Sequence, residues 1–209
     1  LTYTTDGGVY NIFYGMYVYY KVLYFLTAMS PAYLLFFIQL YYKFGDTFDD
    51  VIFGIRFNIF VWLGILILFF VILLILLKGV LIYQYTNSST DQVLGEGKEK
   101  FKENKLKEKN GDVISFLLGN ILPAVFIIEE DLFITILTFL IIQVLIYFLV
   151  IKSTDIFPNV FLIILGIDLC KTEDENYVFT FKSNKFKDFK VYHLGEPFKS
   201  KVFITMYEK

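Results

Sequence analysis

Charged residues cut the chain into long uncharged stretches. Val22 to Tyr42 runs 21 residues between Lys21 and Lys43, and Phe57 to Leu77 runs 21 between Arg56 and Lys78. Val113 to Ile128 gives 16 residues between Asp112 and Glu129, and Leu132 to Ile151 gives 20 between Asp131 and Lys152. A bilayer core of about 30 Å takes about 20 helical residues. The pattern therefore predicts four membrane spans in two hairpins. The second and fourth stretches are apolar all round, as a lipid-facing helix is and an amphipathic helix is not. The first carries Thr27, Ser30 and Pro31 near its middle, which a membrane helix tolerates because hydroxyls and neighbours re-satisfy the freed carbonyl. The third covers only about 24 Å and holds Gly119, Asn120 and Pro123. A crossing with local bilayer thinning and a re-entrant hairpin with the fourth stretch are both open there. Ile156 to Ile167, 12 residues with Pro158 and Gly166, is too short to cross and reads as an interfacial connector leading into a strand.

The polar segments have different patterns. From Asn159 onwards, NVFLIILGIDL, NYVFTFKS, FKVYHL and KVFITMY are β-branched and aromatic with partial alternation, separated by turn-like TEDEN, NKFKD and GEPFK. They predict four short strands, a core too small to be more than marginal alone. The stretch from Thr86 to Asp112 holds six Lys and six acids. Opposite charges such as Glu103 and Lys107 at i, i+4 spacing predict a short solvated helix, and the simplest role for it is a tether between the hairpins. The expected division is 1–15, a flexible lead; 16–85, the first hairpin; 86–112, the charged linker; 113–152, the second hairpin; and 153–209, the β-rich tail. The expected fold is an α-helical integral membrane protein with four transmembrane helices plus a small C-terminal cytoplasmic β-sheet.

Composition agrees with a membrane protein. Of 209 residues, 56% are hydrophobic, 20% aromatic and 19% charged, and mean hydropathy is +0.60. Soluble domains carry about 25% charged residues, and disordered chains are far less apolar. The net charge of −2 provides no basic field for nucleic acid, so no direct nucleic-acid binding is expected. One Cys and one His exclude an internal disulfide and a multi-His metal site within one chain. No cleavable signal peptide is visible, and Met16 is a candidate alternative start. Four spans put both ends and the linker on one side. That side collects 17 of the 19 basic residues, leaving Lys43 and Arg56 on the other. The positive-inside rule then makes the termini and linker cytoplasmic.

Candidate chemistry is sparse. On the outer side stand Asp46, Asp49, Asp50, Glu129, Glu130 and Asp131. They read as a cation-attracting mouth or simply as polar turns. Pro31, Gly119, Asn120 and Pro123 would shape span packing or a pore. Asn58, Gln39 and Gln143 fit helix-to-helix hydrogen bonding. No ionisable residue sits mid-span, against a proton relay. No phosphate-binding loop, zinc-protease motif or nucleophile elbow occurs, and Cys170 and His193 are single residues on predicted strands. Neither catalytic residues, a metal nor a cofactor is expected, and the chain is read as not an enzyme.

The two hairpins are followed by an aromatic-Pro-Asn connector, Phe157, Pro158 and Asn159. Then come Leu162-x3-Gly166-x2-Leu169, an acidic turn and Tyr177-Val-Phe-Thr-Phe-Lys. This combination resembles the KwaA family, the membrane subunit of the Kiwa anti-phage defence system. The resemblance spans the architecture of most of the chain, and its local motif lies between Ile156 and Ser183. It implies a bacterial inner-membrane sensor or scaffold that assembles as a homo-oligomer, a tetramer, in contact with membrane lipid. It further implies recruitment of a cytosolic DNA-binding partner, KwaB. Pro158, Asn159, Gly166, Tyr177, Phe179 and Phe181 in the tail would then bind that partner, with the lysine-rich linker beside them. The alternative is a small oligomeric cation channel.

Overall fold

The computed structural model describes residues 11–48, 50–52, 55–87, 95–116, 131–183, 189–196 and 199–207. The first apolar stretch forms two helices, α1 (Val18–Ala28) and α2 (Ser30–Phe48), which meet at a bend of 51°. Pro31 is the cause. In a continuous helix its nitrogen would donate to the Thr27 carbonyl, and proline has no N–H to give. Ser30 Oγ donates to that carbonyl instead, at 2.7 Å. A short antiparallel hairpin follows, β1 (Asp50–Ile52) with β2 (Ile55–Phe57).

The second stretch lies in α3 (Ile59–Asn87), 29 residues long, and the fourth in α5 (Leu132–Lys152), 21 residues long. Both are long and apolar enough to cross a membrane, and little of either is buried inside the chain. The described residues thus hold two candidate spans, or three if the bent pair is one span. Of the predicted third stretch only the first turn, α4 (Val113–Phe116), is described. The remainder lies outside the described residues, so the structure supports two or three spans where the sequence predicts four.

At about 43 Å, α3 exceeds the bilayer core. Its apolar run ends at Leu77, and from that residue onward the helix forms a strut. Leu77, Leu81 and Tyr85 on it are buried, and the Tyr85 ring meets Tyr192 edge-on at 5.2 Å.

The strut supports a sheet of five strands, where the sequence predicts four. They are β3 (Leu106–Lys109), β4 (Ile167–Thr172), β5 (Tyr177–Lys182), β6 (Val191–Leu194) and β7 (Val202–Tyr207). Their order is β3-β4-β5-β7-β6, with β5 and β7 parallel and the other pairs antiparallel. The fifth strand comes from the linker. In place of the expected helix, the linker makes two 3-10 turns, Gly95–Phe101 and Glu103–Lys105, and then pairs with β4. Its two lysines suit an edge strand, where charge discourages further pairing. Beyond it, Asn110 takes a left-handed conformation, and its side chain bonds both Asp168 Oδ1 (2.7 Å) and the Leu169 N–H (3.0 Å). Gly111 follows at φ 70°, where a Cβ would stand 2.0 Å from the Ile156 carbonyl oxygen. The connector forms one helical turn, α6 (Val160–Ile164). The strand predicted from Asn159 begins only at Ile167, after Gly166 at φ 75°.

Alternation along the strands divides the sheet's side chains between two faces. Ile167, Leu169, Tyr177, Phe179, Phe181, Ile204 and Leu194 join Tyr20, Tyr24, Leu77 and Leu81 in one core. On the far face Cys170, Val178 and Val191 are buried with Phe101 of the linker.

Candidate functional site

The bent helix and the sheet meet at the connector. Asn159 caps α6, its Oδ1 accepting from the Leu162 N–H at 3.2 Å. An Asn at this position satisfies one of the orphan donors of a helix start. Its Nδ2 reaches α1, donating to Thr27 Oγ1 at 2.7 Å and to the Tyr24 carbonyl at 3.4 Å. Thr27 Oγ1 in turn lies 2.8 Å from the Leu23 carbonyl and 3.0 Å from that of Tyr24. The Tyr24 hydroxyl donates to the Phe157 carbonyl at 2.6 Å. The Tyr24 ring meets Phe179 of β5 edge-on, with centroids 6.1 Å apart. Thr27, Ser30 and Asn159 are all buried, where unpaired polar groups would be costly. One polar path thus runs from the bend at Ser30 through Thr27 and Asn159 to the connector, and Tyr24 ties the same turn to the sheet.

The neighbouring contacts strengthen the joint. The Tyr177 hydroxyl donates to the Thr154 carbonyl, and burial pushes its pKa up to about 12. A cavity of about 10 Å³, lined by Tyr24, Asn110, Ile156, Pro158, Asn159 and Leu162, has room for about one water. That is far below the few hundred Å³ of a small-molecule pocket.

The residues assigned to partner binding from sequence gather here, but in the interior. Pro158, Asn159, Tyr177, Phe179 and Phe181 are buried within the chain itself. Gly166 ends the α6 turn with open space about it. Of the outer acids, Asp131 caps α5, its carboxylate accepting from the Ile134 N–H at 2.9 Å, and Asp50 opens β1. Asp49, Glu129 and Glu130 lie outside the described residues, as do Gly119, Asn120 and Pro123. Pro31 stands at the bend. Asn58 caps α3.

Gln143 is buried on α5, and neither atom of its amide has a partner among the described residues. It lies one turn from both Phe139, which stacks on Phe36 at 3.7 Å, and Tyr147, which meets Phe25 at 5.2 Å. The two aromatic contacts fall on opposite sides of the bend. Among the described residues no group of three His, Cys, Asp or Glu can hold a metal. Cys170 is buried, which pushes its thiol up to about 11, and thiols so shifted are inert.

Sequence reasoning missed Tyr24 and Phe101, and it singled out Thr27 without its link to Asn159. Phe101 did carry a signal, as the one apolar residue between Lys98 and Lys105. The chain matches the family of the anti-phage protein KwaA over residues 20–204. The match takes in the bent helix, the connector and nearly all of the sheet. No curated protein and no solved structure matches the chain. The chain belongs to the KwaA family.

Proposed function

We propose that this member of the KwaA family is a non-enzymatic inner-membrane sensor and scaffold of anti-phage defence. In this reading four spans place both termini and the sheet in the bacterial cytoplasm, as the distribution of basic residues favours. Copies assemble through their spans, as a tetramer. The tail recruits a cytosolic DNA-binding effector of the KwaB type. The observation that carries the reading is the buried path from the Pro31 bend through Thr27 to Asn159. A membrane event that alters the bend must move the connector, and the sheet moves with it. Coupling of this sort needs an element with two arrangements that both sites bias. A bent helix beside the Gln143 amide, which is without a partner among the described residues, fits that need, because a second arrangement can relieve the buried group.

The test is a native-tag pull-down from detergent, with the oligomer mass and co-purifying proteins read by mass spectrometry. The expected result is a homo-oligomer carrying a stoichiometric cytosolic protein. Asn159→Asp keeps the helix cap but removes the donor to Thr27. It should leave the oligomer and its cargo intact while abolishing protection against phage. A monomer without cargo overturns the scaffold. An oligomer without cargo that conducts in planar bilayers replaces it with the channel.

A further inference from the structure

The connector turns one side into the core and leaves the other uncovered. Asn159 and Leu162 are buried, whereas Ile163, Ile164 and Leu165 are 36%, 71% and 37% exposed. Among the described residues, Ile164 is thus largely uncovered, with Ile163 and Leu165 about a third exposed on either side of it. The level at which they lie is fixed by Lys78. Its ammonium donates to the Leu165 carbonyl at 3.3 Å, and Lys78 is the first charge after the 21-residue apolar run of α3. The last turns of that run expose Ile72, Ile75 and Leu76, the outward surface of a membrane span. The uncovered tip therefore continues the lipid-facing band of α3 at its sheet-side boundary. A lysine at that boundary keeps its stem among acyl chains and its ammonium among headgroups.

We infer that Ile163, Ile164 and Leu165 form a wedge inserted into the bilayer leaflet nearest the sheet. Interfacial apolar segments settle about 5–10 Å into the headgroup–acyl boundary. The wedge pins the connector, and with it the joint at Asn159, to the membrane surface. The connector then feels the packing of that leaflet directly, independently of any change in the spans. The inference rests on the membrane-crossing helices alone and not on the identity of any recruited partner.

The test uses the full chain in vesicles of phosphatidylethanolamine and phosphatidylglycerol. Ile164→Cys carries a nitroxide, and the native Cys170 is buried and stays unlabelled. A second variant, Glu173→Cys, places the label on the exposed β4–β5 turn. Collision with dissolved oxygen and with a water-soluble nickel chelate is measured for both. The label at 164 should favour oxygen several-fold over the chelate, at a depth within the leaflet, while the label at 173 favours the chelate. Equal access of the chelate to both labels overturns the wedge. So does dipolar broadening between labels at 164, which would place a second copy of the chain on this face. The side chain of Ile164 is largely free of its own chain, so the substitution should leave the oligomer mass and circular dichroism unchanged.

Discussion

The two faces of the sheet are held by different physics. The face toward the helices buries Tyr177, Phe179, Phe181, Leu194 and Ile204 in a core continuous with α1 and α3. The far face has a smaller apolar cluster, Cys170, Val178 and Val191 with Phe101 of the linker. Its cover is the linker, with the Phe101 ring 4.7 Å from that of Phe203 and the Tyr207 hydroxyl donating to the Phe101 carbonyl. Around that small core, Lys100–Asp174 (2.7 Å), Lys109–Asp168 (2.8 Å) and Lys182–Glu103 (2.9 Å) bind linker to sheet. Most of these side chains are half exposed, and such pairs are weak and screened by salt. The helix-side face is therefore a permanent attachment, and the far face has a cover that can open at modest cost.

The largest expected effect is on the permanent side. Phe179→Ala removes a ring packed against Tyr24 and leaves a cavity in the shared core, at a cost of about 3–5 kcal/mol. The sheet should separate from the helices as a unit. Limited proteolysis in detergent should then cleave the connector near Ser153–Asp155 much faster than in the parent chain. Unchanged cleavage would mean that the sheet does not depend on the helices for its place.

Phe101→Ala tests the other face. The same loss of a ring falls on a smaller core that the linker alone completes, so a cost at the low end of the range, about 3 kcal/mol, is expected. The consequence should be local opening and not detachment. Amide exchange should rise in Leu106–Lys109 and stay unchanged in Val202–Tyr207, the strand between β5 and β6. A rise in both would show that the two faces fold as one unit and would erase the distinction between them.

The sequence made the two sides unequally legible for the same reason. Apolar runs with charged ends mark α3 and α5, because crossing a bilayer constrains every position in the run. Pro31 marks the break in the first run, but the hydrogen bond that ties this turn to the connector comes from Asn159, 132 residues away from Thr27. Tyr177, Phe179 and Phe181 alternate as one face of a strand. Alternation states that a face is apolar and not what covers it, so the contact of Phe179 with Tyr24 of α1 is not legible in the strand itself. The β3 segment, Leu-Lys-Glu-Lys, has no strand propensity of its own. It is extended because β4 has an open edge and Asn110 and Gly111 close the turn beside it. Charge spacing in the linker favoured a helix, worth a few tenths of a kcal/mol per pair, and burial of Phe101 outweighs it.

The smallest effect bears on whether the far cover responds to its surroundings. Glu103 and Lys182 pair at 2.9 Å, with side chains 59% and 53% exposed. Glu103→Gln keeps the shape and removes the charge, and an exposed pair contributes about 0–1 kcal/mol. Its neighbour Lys109 has a different environment. There Asp168 is largely buried, and its hydrogen bond to Lys109 raises the lysine pKa. Salt should therefore act unequally on the two pairs. Raising ionic strength from about 0.05 to 1 M shortens the screening length from about 14 Å to 3 Å. Exchange in the 3-10 turn Glu103–Lys105 should rise with salt in the parent chain and be insensitive to salt in Glu103→Gln. Exchange in Leu106–Lys109 should change little in either. If Glu103→Gln exchanges as the parent does at every salt concentration, the pair contributes nothing, and Phe101 alone holds the cover. If β3 opens together with the turn, the linker is one cooperative strap whose release exposes Cys170, Val178 and Val191 at once.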